Sequence, residues 1–146
     1  MTYQHILVPV DGSETAYTAV KQATSLAQAF GSKVTLVEIL TLDPYIAAEY
    51  ITAKQTNEFI ERARAAIVAN LSEAKAKFEE QGISVNTLVL EGQVISREIV
   101  KSAQTLQADL IVMGSHGRTG IKKLFLGNVA QSVLAETDVP VMVVRK

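Results

Sequence analysis

The 146-residue sequence contains no cysteine. Disulfides, zinc fingers and thiol chemistry are therefore excluded. It also lacks an excess of charge: 14 basic residues against 15 acidic ones leave a net charge of −1. That balance supplies no field for nucleic acid or anionic lipid, and no basic block occurs, so neither partner is expected. No apolar run approaches the ~20 residues of a membrane span. The opening Met1-Thr2-Tyr3-Gln4-His5 has neither the basic segment nor the long apolar stretch of a secretory leader. A cytoplasmic protein is expected. At 48% hydrophobic and 20% charged residues, the chain can bury a real core. Its length predicts one domain, residues 1–146.

Five short apolar runs stand out: Ile6–Val10, Val34–Leu40, Val85–Leu90, Leu110–Met113 and Val139–Val144. Each has about the length of a strand, and most are apolar on both faces. Strands of a parallel sheet covered on both sides look like this. Helical patterns lie between them. Ser13 is a plausible N-cap for a stripe of Ala16, Ala19, Val20, Ala23, Leu26 and Ala27, which Gly31 ends. From Ile46 to Gln81 there is no Gly or Pro. Its later half keeps one stripe (Phe59, Ala63, Ile67, Leu71, Ala74, Phe78), and Gly82 stops it. A third helix is predicted over Ser96–Leu106, with Ile99, Val100, Ala103 and Leu106 inward. A fourth is predicted over Asn128–Glu136, with Val129, Ala130, Val133 and Leu134 inward, and Pro140 then opens the last strand. Strict β-α alternation predicts a parallel sheet with right-handed crossovers and helices on both faces. Thr41–Thr56 reads as a long connection, a short extra helix or an early start of the second helix.

The familiar catalytic and phosphate signatures are also missing. No Gly-x-x-x-x-Gly-Lys-Ser/Thr run exists, and no Gly-x-Gly-x-x-Gly follows the first strand. Ser115 has no nucleophile-elbow context. No pair of carboxylates or set of metal ligands stands at telling spacing. His116 is a lone loop histidine, and His5 reads as a surface residue. Glu38 reads as a rim residue, and Asp109 as a cap or start of the fourth strand.

Two strand ends carry unusual sequence, at the end of the sheet where open parallel sheets bind ligands. The first strand runs into Asp11-Gly12-Ser13, where Asp11 either accepts bonds from a ribose hydroxyl pair or helps cap the first helix. The fourth runs into a window from Gly114 to Asn128 with glycines at 114, 117, 120 and 127. Glycine lets a ligand approach the backbone. Gly127-Asn128 then opens a helix, whose free N–H groups and dipole favour an anion. Arg118, Lys122 and Lys123 either add charge or form a solvated face, the second being the better reading of the lysines.

The spacing Gly114-x-x-Gly117, nine residues, then Gly127 resembles that of the nucleotide-binding universal stress proteins. So do the start, His5 to Ser13, and the end, Val139 to Arg145. The resemblance implies a Rossmann-like five-stranded sheet in the order 3-2-1-4-5, with Asp11 and the Gly114 loop on one crevice. It implies ATP or AMP as ligand. Pro9, Val10 and Ile39 then form the adenine-side wall, with Met113 beneath the base, and Asp11 holds the ribose. Gly114 and Gly117 let the phosphates approach, with Arg118 able to add charge, and Gly127, Asn128 and Val129 bind them. Any Mg2+ would be held mainly by the phosphates, because Asn128 stands where the family usually has a hydroxyl. The resemblance further implies a homodimer through the Val139–Val144 edge strand, acting on a protein partner not identified by the sequence. A sensor with at most slow hydrolysis is expected rather than a turnover enzyme. The alternative is a nucleotide-independent, chaperone-like interaction module on the same fold. A flavodoxin-like electron carrier also fits the strand pattern, but the first turn lacks a hydroxyl-rich phosphate loop.

Overall fold

The computed structural model describes residues 3–41, 53–115 and 126–145. Nine elements follow one another: β1 (His5–Pro9), α1 (Glu14–Phe30), β2 (Lys33–Thr41), α2 (Ala53–Glu80), β3 (Val85–Gly92), α3 (Ile95–Thr105), β4 (Leu110–Gly114), α4 (Asn128–Glu136) and β5 (Val141–Val144). The strands form one sheet in the order β3-β2-β1-β4-β5, and every pairing is parallel. Central β1 sets Ile6 against Val34 of β2 and Leu110 of β4.

The doubly apolar strands are explained by two cores, one on each face. Ile6, Val8, Leu36 and Val112 point to the side covered by α1 and α2, where Ala19, Ala23, Leu71 and Phe78 meet them. Leu7, Val37, Ile111 and Met113 point to the side covered by α3 and α4, against Ile99, Ala103, Ala130 and Val133. Alternate residues of a strand face opposite ways, so both sets must be apolar. Burying apolar area is the main favourable term, at roughly 25 cal/mol per Å².

Local signals set the helix ends. Ser13 Oγ accepts the Ala16 N–H at 3.2 Å and starts α1. Gly31 ends it at φ 67°, a left-handed conformation that side chains disfavour. The α2 stripe falls where the periodicity puts it, with Ile67, Leu71 and Phe78 buried. None of the described helices is long and apolar enough to cross a membrane.

Some expectations need correction. Leu134 is not inward but 44% exposed. Helix α4 packs mainly against α3, and its buried stripe narrows to Ala130 and Val133. Leu106 is only half-buried. The last strand begins at Val141, not Val139. The Val139 N–H goes instead to Thr137 Oγ1, and Pro140, which has no N–H, contributes its carbonyl to Ile111 N–H. Glu38 is buried at 6% exposure rather than on the rim, on the α1/α2 side between Leu36 and Leu40. His5 is no free surface residue: its Nδ1 lies 3.1 Å from Leu106 O and its Nε2 2.7 Å from Thr35 Oγ1. Residues 42–52 of the long connection lie outside the described residues, and α2 is established by Ala53.

Asp109 stands immediately before the fourth strand, which begins at Leu110, and ties that strand to the first. Its carboxylate accepts the N–H groups of Gln4 at 2.8 Å and His5 at 3.0 Å. We predict that Asp109→Ala lowers stability by about 1–3 kcal/mol, because both donors lose a charged acceptor. Asp109→Asn should lose less. Denaturant unfolding midpoints check both; equal midpoints for Asp109→Ala and wild type would refute the tie.

Candidate functional site

β1 and β4 lie side by side, yet the chain leaves them in opposite directions. From β1 it passes to α1 on one face, and from β4 it passes toward α4 on the other. The helices part there and leave a crevice at the carboxyl ends of the two strands, the place where open α/β sheets hold ligands.

The β1 lip is a tight turn. Asp11 is half-buried, and its Oδ1 accepts the Ser13 N–H at 2.9 Å across Gly12, which sits at φ 80°. Asp11 therefore shapes the turn, while Ser13 does the capping of α1. The Val10 N–H donates to Val37 O at 2.8 Å, which extends the pairing with β2 past the strand end.

The other lip is the end of β4. The Ser115 N–H donates to Val144 O at 2.9 Å, and Ser115 O accepts the Gly127 N–H at 2.7 Å. The second bond ties Gly127 back to the end of β4. Gln131 reaches back from α4, its Nε2 donating to Leu126 O at 2.6 Å. The start of α4 is thereby fixed to the end of β4. Gly127 is its N-cap and offers no side-chain acceptor, and no acidic residue stands in the first turn. The first amides of a helix have no partner within it. Those of Asn128, Val129 and Ala130 precede the first intrahelical donor, Gln131, which bonds to Gly127 O at 3.0 Å. By contrast α1 caps itself with Ser13 and carries Glu14 in its first turn, and α3 carries Glu98. Helix α4 thus offers its positive end to an external anion.

The predicted base-side residues divide. Leu7 and Ile111 belong to the α3/α4 face, so Pro9 and Met113, two residues on, share that face, and Ile39 packs against the same core. Met113 is 4% exposed. The Val10 side chain lies on the opposite face, in the core under α1. Any contribution from Val10 to the crevice is therefore made by its backbone. Gly114 stands at the strand end beside Thr15 of α1. Asp11, Gly127, Asn128 and Val129 fall on the two lips, with Asn128 exposed. Gly117 and Arg118 lie outside the described residues, as do His116, Lys122 and Lys123. Thr15 and Gln131 were not singled out by the sequence. Nothing in their local pattern marks them, because each matters through a contact made only in the fold.

Comparison with known proteins bears on the family and the fold. The model of the universal stress protein family matches residues 2–145. A universal stress protein of Methanocaldococcus jannaschii, MJ0531, is 35% identical over 145 residues, covering 99% of this chain and 83% of that protein. The solved structure of MJ0577, from the same organism, superimposes with a TM-score of 0.81 at 30% identity, covering 100% of this chain and 98% of the other. A universal stress protein solved in complex with cAMP superimposes with a TM-score of 0.74 at 24% identity, covering 99% and 98%. That last likeness establishes the fold.

The open end of α4 makes a prediction that needs no ligand identity. A carboxylate at the helix start should stabilise the free protein by ~0.3–1 kcal/mol through the dipole. Asn128→Asp is thus expected to raise the unfolding midpoint of the protein alone and to weaken any anion bound there. A variant that raised both, or lowered both, would contradict the reading of this helix end as an anion cradle.

Proposed function

The chain belongs to the universal stress protein family, and from that premise we propose that it is an adenine-nucleotide-binding member acting as a sensor rather than a turnover enzyme. One observation carries the reading: the start of α4 has no side-chain cap and is tied to the end of β4 by the Ser115–Gly127 bond, and β4 pairs with β1, the strand that leads into Asp11. One lip supplies anion-seeking amides and the other a carboxylate, and a ribose phosphate needs both. In this reading the phosphates sit on the amides of Gly127, Asn128 and Val129, and Asp11 accepts from the ribose hydroxyls. Pro9, Ile39 and Met113 line the base side. Gly114 and Gly117 leave room for the phosphate chain, with Arg118 adding charge.

The ligand is ATP or AMP, with any Mg2+ held mainly by the phosphates. The amide side chain of Asn128 can donate to a phosphate oxygen but is a poor substitute for a hydroxyl beside a metal ion. The cAMP complex of a protein with this fold supports an adenine nucleotide as the ligand class. Hydrolysis also requires a group that orients the attacking nucleophile. Among the described residues, the two lips supply no such group.

Two measurements test this. Small molecules released from the purified, denatured protein are expected to include ATP or AMP by mass spectrometry. Titration calorimetry with ATP and magnesium should give a dissociation constant near the micromolar range, about −8 kcal/mol. Asp11→Ala should weaken it by roughly 10–100-fold, as loss of hydrogen bonds to a charged group does. Gly117→Val should abolish it. A wild type that binds no nucleotide at millimolar concentration sinks the proposal and leaves a nucleotide-independent interaction module.

The reading extends to assembly and setting. β5 ends the sheet order with four apolar residues, and Met142 is 38% exposed. An apolar edge pairs readily with another chain. In our reading two copies join antiparallel across this edge about a two-fold axis. They work in the cytoplasm, where nucleotide binding alters affinity for a protein partner. Size-exclusion with light scattering should give a dimer, and Met142→Lys should shift it toward monomer. A clean wild-type monomer at micromolar concentration would remove the dimer and leave the nucleotide site standing.

A further inference from the structure

Gly114 is the last residue of β4, and the space its side chain would take is already filled. A Cβ there would lie 2.8 Å from the Thr15 carbonyl carbon, 2.9 Å from Thr15 Cβ and 2.9 Å from Thr15 Oγ1. Non-bonded carbons rest at about 3.5–4.0 Å. The closest atom is backbone, so no rotamer change clears the overlap. Backbone conformation is not the reason for glycine here: among the described residues, glycines 12, 31 and 82 have positive φ and Gly114 does not.

Thr15 lies in the first turn of α1, and its Oγ1 is 3.3 Å from Ser13 Oγ. The Ser13 N–H is held in turn by Asp11. Contacts thus run from Asp11 through Ser13 and Thr15 to Gly114, from one lip of the crevice to the other. We propose that Thr15 is a positioning residue of this crevice: by occupying the side-chain space of Gly114, it fixes how far the Asp11 turn stands from the end of β4. The inference rests on the nucleotide reading above, and it changes what Gly114 is for. A glycine needed only to admit phosphate would, when substituted, reduce ATP binding and leave adenosine binding intact. A glycine needed to seat α1 would, when substituted, move a whole lip, and both ligands would suffer.

The test compares Gly114→Ala, Thr15→Ile and Thr15→Ser with wild type. Thermal unfolding is measured without ligand, and titration calorimetry is run with adenosine and with magnesium ATP. Gly114→Ala and Thr15→Ile should lower the ligand-free midpoint. Each should weaken adenosine and ATP by a similar factor, roughly tenfold, as overpacking of a tight contact does. Thr15→Ser keeps Cβ and Oγ1 and should behave like wild type. Adding Thr15→Gly to Gly114→Ala removes two of the three close contacts and should recover part of the midpoint. A loss confined to ATP, or a Gly114→Ala protein with wild-type midpoint and affinities, overturns the proposal. If Gly114→Ala does not fold, the Thr15→Ile and Thr15→Ser pair decides on the same readouts. If wild type binds neither ligand, the nucleotide reading fails on its own. The ligand-free midpoints and their partial recovery then still decide whether Thr15 and Gly114 seat α1 on β4.

Discussion

β1 hydrogen-bonds to β2 on one side and to β4 on the other, and the connections that follow β1 and β4 run to opposite faces of the sheet. The position of the crevice follows from this pairing. Had β1 and β4 been separated by another strand, their ends would stand about 10 Å apart, two strand spacings. Neighbouring strands bring them within reach of one small ligand. Asp109 reinforces the pairing at the far end, where its carboxylate and backbone N–H both bond to the first strand. The contacts that align the two strands thus also align the two lips.

Within that frame the helix starts differ in what they leave unsatisfied. At α1 the chain spends Ser13 on a cap and Asp11 on the preceding turn. At α4 it places a glycine, which cannot cap with a side chain, and clamps it to Ser115. The clamp matters because a frayed helix start points its amides in many directions, and a held one points them in one. Order at the start of α4 is therefore bought from the backbone of β4 rather than from a capping side chain, and the amides remain available.

The sequence made the fold legible for a physical reason. β1, β2 and β4 are buried on both sides along most of their length, so each wrote an apolar run into the chain. Alternation with helical stripes then left one topology class. The helix ends were readable where a side chain or glycine performs the stop, as at Ser13, Gly31 and Gly82. What was not legible depends on distance along the chain. His5 joins Leu106 and Thr35, and Thr15 meets Gly114, across about a hundred residues in the longest case. Leu134 was misplaced because periodicity gives a helix face but not how much sheet lies beneath it. At the candidate site, Asp11 and Gly127 were picked out by their strand-end position. That Val10 turns its side chain away from Pro9, Ile39 and Met113 depends on the alternation of faces, which the resemblance alone did not apply.

Gly114 shows how one residue can be read in two ways. As part of a glycine spacing it counts toward nucleotide binding, because that spacing resembles the nucleotide-binding universal stress proteins. In the fold, Thr15 occupies the space beside it whether or not a ligand is present. A scaffold that bound nothing would still need glycine there to seat α1 on β4. Its presence is thus weak support for a ligand and strong support for the packing. Gly127 is different. Its φ of −64° is open to ordinary residues, and Ser, Asp or Asn at that N-cap would bond the first amides of α4 and stabilise the helix by roughly a few tenths of a kcal/mol over glycine. Helix α3 also starts without a side-chain cap, at Val94, but it carries Glu98 in its first turn, whereas the first turn of α4 carries no acidic residue. The uncapped start of α4, rather than the glycine count, is therefore the feature that argues for a bound anion.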